Sequence, residues 1–166
     1  MTTPLRCSAC TTGSLEPAQL PSYDVSHLLG LQGAVVHDVA VLRCSSCGEV
    51  TWEGHVLDRL MHAAVGLVVT QQSELRPGEV RFLRTYLELP QSELAPRLAV
   101  GLETLLAWEK GSEPIPRAHA TLLRAMAALH LVAADPSQAS RLEGLFEWPP
   151  RKAAALPYEL VLSAVA

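Results

Sequence analysis

Two CxxC pairs, Cys7-Ser8-Ala9-Cys10 and Cys44-Ser45-Ser46-Cys47, hold all four cysteines of this 166-residue chain. Cysteines two residues apart put both thiolates on one tight turn, where they can share a metal ion. Two such turns complete a closed tetrahedral shell, the arrangement of a structural Zn²⁺ site. A four-cysteine shell suits iron as well, and the ligands alone do not separate the two metals. A closed shell leaves no open position for a substrate, so the metal is expected to organise a fold and to do no chemistry. Two disulfides would require export, and the N-terminal stretch Met1–Arg6 has no apolar run of the kind a signal peptide needs. A dithiol redox centre needs a CxxC beside a βαβ pattern, and neither pair has one. The expectation is therefore a cytoplasmic protein with structural Zn²⁺ on Cys7, Cys10, Cys44 and Cys47. Gly48 directly follows Cys47 and suits a knuckle turn with positive φ. Thr11 stands at the matching place after Cys10, so the first knuckle is expected to be looser.

The 33 residues between the pairs exceed the usual ribbon spacing, so this segment must fold as part of the site. Ala34–Arg43 is rich in β-branched residues and runs straight into the second knuckle, which reads as a strand. Ser14–Glu16 and Ser22–Val25 are candidate partner strands, separated by Pro17 and Pro21. So small a sheet buries little surface, and metal binding is expected to supply its folding energy. From about Trp52 to Thr70 the period changes to that of a helix burying Val56, Leu60, Met61, Val65 and Val68.

The stretch Gln71–Gly78 then marks a boundary. Five helices are expected beyond it: Glu79–Leu89, Gln91–Leu98, Leu102–Lys110, Arg117–Leu131 and Ser137–Leu145. The fourth is expected to bury Leu122, Leu123, Met126 and Leu129. Trp148-Pro149-Pro150 breaks the chain before an apolar tail, Leu156–Ala166, read as an edge strand or a short helix. The fold class is α+β: a zinc-binding β domain with its linker helix over 1–70, an all-α bundle over 75–150, and a tail over 151–166.

Hydrophobic content of 49% is ample for a core, and no apolar stretch is long enough to span a bilayer. The net charge of −4 is unevenly spread. Residues 1–74 carry three Lys/Arg against seven Asp/Glu, whereas residues 75–131 carry seven against six. Only the middle has any electrostatic claim on phosphate, and the acidic N-terminal part suits a basic protein partner.

Gln91–Gly111 fits a helix-turn-helix unit. Ala95 is small where the two helices cross, Val100 plugs the turn, and Leu105 and Trp108 face the core. Trp108-Glu109-Lys110-Gly111 followed by a proline-containing loop resembles the Xre (Cro/C1) type. Together with Cys7/Cys10, Cys44/Cys47-Gly48, Arg81-Phe82-Leu83-Arg84 and Gln91–Ala95, the order over about residues 5–131 resembles the MqsA family of antitoxins. That resemblance implies a YgiT-type zinc domain that binds a toxin, usually an mRNA-cleaving protein. It further implies an Xre-type domain that dimerises and represses its own operon. Its candidate contacts to operator DNA are Gln91, Arg97, Glu103, Thr104, Lys110 and Arg117. Ala107 and Glu103 stand where the family usually carries a basic residue and a polar base reader. Glu103 can accept from cytosine but repels phosphate. Pro96 removes a helical bond to Ser92 and should kink the first helix of the unit.

A different reading keeps the helix-turn-helix fold and turns its DNA face into a protein-binding surface through Leu102 and Leu106. Under that reading the protein is an adaptor, and the tail can add a strand to a partner sheet. An enzymatic role is not expected: no GxSxG, P-loop or HExxH pattern occurs. His55 and His62, seven apart on the linker helix, share a face but more often mark ordinary helix histidines than a second metal site. His37-Asp38, on a strand, should point to opposite faces and form no dyad. Arg81 and Arg84 read as a solvated face or an internal ion pair.

Overall fold

In the computed structural model, which describes residues 5–71, 73–146 and 159–161, the order of elements is β-rich, then helical, with a final strand returning to the sheet. The sheet comprises β1 (Leu15–Asp24), β2 (Val35–Cys44), β3 (Val50–Thr51) and β4 (Glu159–Val161), with a one-turn helix α1 (Ser26–Leu29) between β1 and β2. Strand β2 is central. It pairs antiparallel with β1 along its whole length. On its other edge β3 covers Leu42 and Arg43, and β4 runs parallel to Val35–His37.

The two short strands expected around Pro17 and Pro21 are one ten-residue strand. An edge strand tolerates proline, because an N–H on the open side has no ladder partner to lose. Pro21 and Asp38 fall between the paired residues Leu20↔Val39 and Ser22↔His37. Asp38 takes φ +49° there. The inward phase of β2 slips at this point, burying Val36 before it and Val39 and Val41 after it. Strict alternation across His37-Asp38 therefore does not apply.

The linker helix α2 (Gly54–Thr70) buries Val56, Leu60, Ala64, Val65, Val68 and Val69. The bundle follows as α3 (Pro77–Tyr86), α4 (Gln91–Arg97), α5 (Leu102–Lys110) and α6 (Arg117–Ala134). The fifth expected helix is a 3₁₀ segment, Pro136–Phe146. Pro77 opens α3 at a position where its missing N–H costs nothing. Pro96 lies in the last turn of α4, and Ala99, in the turn after it, is left-handed at φ +56°.

Helix α2 packs against α6 and the 3₁₀ segment, and one buried cluster runs from Val36 through Leu60 to Leu123. Arg124 of α6 reinforces the contact: its Nη2 donates to the Ser73 carbonyl at 2.6 Å and its Nε to the Val68 carbonyl at 3.3 Å, near the open C-terminal end of α2. Contrary to expectation, Leu122 and Leu129 are not core. Leu129 is 73% exposed, and α6 buries Ala120, Leu123, Ala127, Ala128 and Leu131 instead. Of the expected tail, Glu159–Val161 is strand and Leu160 is buried. Trp148-Pro149-Pro150, 151–158 and 162–166 lie outside the described residues. Among those described, no helix is long and apolar enough to cross a membrane.

Candidate metal centre and helix-turn-helix

The two knuckles meet at the end of the sheet because Leu15 pairs with Cys44, which sets the first turn beside the second. The four sulfurs lie within 4.8 Å of one another. Cys7 Sγ is 3.8 Å from Cys47 Sγ, and Cys10 Sγ is 3.6 Å from Cys44 Sγ. A tetrahedron with ~2.3 Å metal–sulfur bonds has edges of about 3.8 Å, so these two separations match a bound Zn²⁺ and the four thiols are close enough to share one ion.

The knuckles are built alike. Thr11 N–H donates to the Cys7 carbonyl at 3.0 Å, and Gly48 N–H to the Cys44 carbonyl at 3.1 Å. Thr11 adopts φ +59° and Gly48 φ +74°, so a β-branched residue takes the same left-handed turn as a glycine. Backbone amides aim at the sulfurs: Gly13 N–H lies 3.4 Å from Cys10 Sγ, and Ser46 N–H 3.4 Å from Cys44 Sγ. Gly13 is required by space, since a Cβ there would collide with the Cys44 sulfur and crowd Ser46.

These contacts set the thiol acidities. The Thr12 hydroxyl, with the Gly13 and Thr12 amides, draws Cys10 down to about 5. The Cys47 and Ser46 amides lower Cys44. The Glu49 amide favours the Cys47 thiolate, but Cys44, burial, Cys10 and Cys7 outweigh it and push Cys47 up to about 12. Four thiolates this close cannot all stay charged without a cation between them.

Among the described residues, these cysteines are the one group of three or more His, Cys, Asp or Glu able to hold a metal ion. His55 turns to Glu53 at 3.4 Å, and His62 to Asp135 at 3.8 Å, so the two histidines make no site together.

In the helix-turn-helix, Ala95, Leu105 and Trp108 are buried and Val100 half-buried, as expected of the crossing. The candidate DNA contacts divide. Glu103, Lys110, Arg97 and Arg117 are exposed, and Thr104 is half-buried. Arg97 pairs with Glu93 at 3.6 Å. Gln91 is drawn inward, its Nε2 donating to Glu109 Oε2 at 2.7 Å. Leu102 is exposed at the start of α5, while Leu106 and Ala107 are half-buried. Sequence reasoning passed over two buried glutamates: Glu79, 2% exposed and bonded to Arg76 and Gln71, and Glu109, 3% exposed and bonded to Arg84. A glutamate between Trp108 and Lys110 gives no sign of burial. The i,i+3 arginines at 81 and 84, which read as a solvated face or an internal ion pair, were the available signal.

Four converging thiols on a small sheet, joined by one helix to a helical bundle, place the chain in the class of proteins that couple a four-cysteine knuckle to a helix-turn-helix. Residues 5–130 match the family model described as the antitoxin component of bacterial toxin–antitoxin systems, MqsA, and the chain belongs to that family. No individual curated protein matches the chain at a significant level.

Proposed function

We propose that this protein is a zinc-stabilised antitoxin that masks a partner toxin with its sheet half and, as a homodimer, represses its own operon through the helix-turn-helix. The observation that carries the reading is the family match, which spans both the cysteine cluster and the helix-turn-helix. Cys7, Cys10, Cys44 and Cys47 would hold the ion. When bound, it neutralises the thiolates and crosslinks the two knuckles, with no catalytic part.

Charge supports the division of labour. Glu16, Asp24, Asp38, Glu49, Glu53 and Asp58 are all exposed in the sheet half, an acidic surface suited to a basic toxin. Exposed Arg97, Lys110 and Arg117 supply phosphate contacts around α5, with Glu103 and Thr104 nearest the bases. Leu122 and Leu129 offer an apolar stripe on α6 for a second copy. The reducing cytoplasm suits four free thiols.

The test is binding of the metal-loaded protein to a DNA fragment from upstream of its own gene, at two salt concentrations. Lys110→Ala should weaken binding and lower the salt slope by about one. Co-expression with the product of the neighbouring gene should yield a stable complex, and metal analysis should give one zinc per chain. A folded, zinc-loaded protein that binds no DNA would favour the adaptor reading. Leu102, 45% exposed on the DNA-facing helix, is the specific observation on that side.

A further inference from the structure

The family match ends at residue 130, and the chain continues beyond it to a strand that returns to the sheet. Strand β4 pairs in parallel with β2 in the register Val35↔Glu159, Val36↔Leu160 and His37↔Val161. Leu160 is 1% exposed and belongs to the main core, as does Val36. The strand also lies against α2. On this edge β3 covers only Leu42 and Arg43, and β1 occupies the opposite edge. Without β4, Val35–His37 would present an open row of backbone donors and acceptors beside an apolar slot. Those are the two requirements for docking an extended segment, which main-chain bonds hold and one buried side chain orients.

We infer that Val35–His37 and α2 form a strand-acceptor site whose resident occupant is the chain's own C-terminal segment. The segment acts as a clasp. Its described part, β4, anchors in the sheet half through Leu160. The sheet that carries the cysteine knuckles and the bundle that carries the helix-turn-helix are thereby tied at both ends, by α2 and by β4. The inference is independent of any toxin or DNA.

Amide hydrogen exchange on the metal-loaded full chain tests it, comparing the unaltered protein with Leu160→Ala and Leu160→Asp. Exchange at Val35–His37 should quicken roughly tenfold or more, and further in Leu160→Asp than in Leu160→Ala. Amides of Cys44–Gly48 and of α5 should keep their protection, and metal content should stay unchanged. A synthetic peptide of residues 156–166, added in trans, should then restore protection at Val35–His37 in Leu160→Asp and do nothing to the unaltered chain. Equal protection at Val35–His37 in all three proteins would overturn the clasp. So would loss spread evenly over the chain in the milder Leu160→Ala. A peptide that restores nothing at saturation would overturn the acceptor site.

Discussion

Arg84 Nε stands 2.6 Å from Glu109 Oε1, joining α3 to α5 through a carboxylate that is 2% exposed. The pair is not isolated. Arg84 Nη1 also donates to the Leu89 carbonyl at 3.1 Å, and Gln91 Nε2 holds the second carboxylate oxygen at 2.7 Å. Arg81 Nη2 donates to the Glu109 carbonyl at 2.9 Å. A buried charge with this many donors fixes the angle between α3 and α5, the second helix of the helix-turn-helix.

Removing one partner should therefore be costly. Glu109→Ala leaves the half-buried Arg84 guanidinium without its counter-charge and should destabilise the bundle by about 3 kcal/mol, the low end of the cost of breaking a buried pair. Glu109→Gln keeps the shape and some of the bonds and should cost less. Urea unfolding of the metal-loaded proteins measures both. Equal stability of Glu109→Ala and the unaltered chain would show that the network is ornamental.

Gly13→Ala should weaken metal binding, because the added methyl meets the Cys44 sulfur and Ser46 with nowhere to go. Competition with a chromophoric chelator should show a lower zinc affinity, and the sheet half should melt earlier, since metal binding is folding energy at such a site. An affinity unchanged by Gly13→Ala would mean that the knuckles sit further apart in solution.

Ala99→Gly should stabilise the protein. Ala99 pays the left-handed penalty at φ +56° in the turn between α4 and α5. Relief of that strain, less the greater freedom of glycine in the unfolded chain, leaves about 0.5–1 kcal/mol. Thermal melting of the bundle reports the sign, and a lower melting temperature would contradict it.

Arg124→Lys should loosen the joint between α2 and α6. The guanidinium forks to Ser73 and Val68 carbonyls, and burial lowers its pKa. An ammonium cannot span both acceptors, and loss of these charge-assisted bonds should cost about 2–3 kcal/mol. Exchange at the amides of the last turn of α2 should quicken first.

The acid limb of stability should depend on Asp135. The Ser137 hydroxyl and the Gln138 amide hold its carboxyl below the usual range, with the Ser137 amide and His62 adding to them. A carboxyl with a lowered folded pKa stabilises above its ordinary value of about 3.9 and loses that contribution as pH falls through the folded value. Asp135→Asn should flatten the fall in stability between about pH 5 and pH 2, as followed by urea unfolding. An acid limb identical in both proteins would assign the dependence elsewhere, Asp24 being similarly lowered by Ser26.

The cysteine spacing, the change from strand to helix period near Trp52, and the Gln91–Gly111 unit were all legible in the chain, because each is a local pattern. Two thiols on one turn, small Ala95 at a crossing and a glycine after Lys110 need no knowledge of distant residues. What could not be read depended on neighbours. Pro17 and Pro21 look like strand breakers until β1 is known to be an edge. Leu122 and Leu129 satisfy a helical period, yet α6 packs on α2 through the face that carries Ala120, Leu123, Ala127 and Leu131, and a linear pattern with apolar residues on both sides does not say which face meets the neighbour.

The sequence by itself determined which atoms can bind a metal and where the helices α2 to α6 lie, since spacing and periodicity act within a few residues. Only the tertiary structure decided that Glu109 is a buried anion, that Thr11 must mimic a glycine, and that Leu160 belongs to the core of a sheet more than a hundred positions earlier. Burial, strain and strand pairing are properties of contacts between distant parts of the chain, and a linear pattern carries no record of which parts those are.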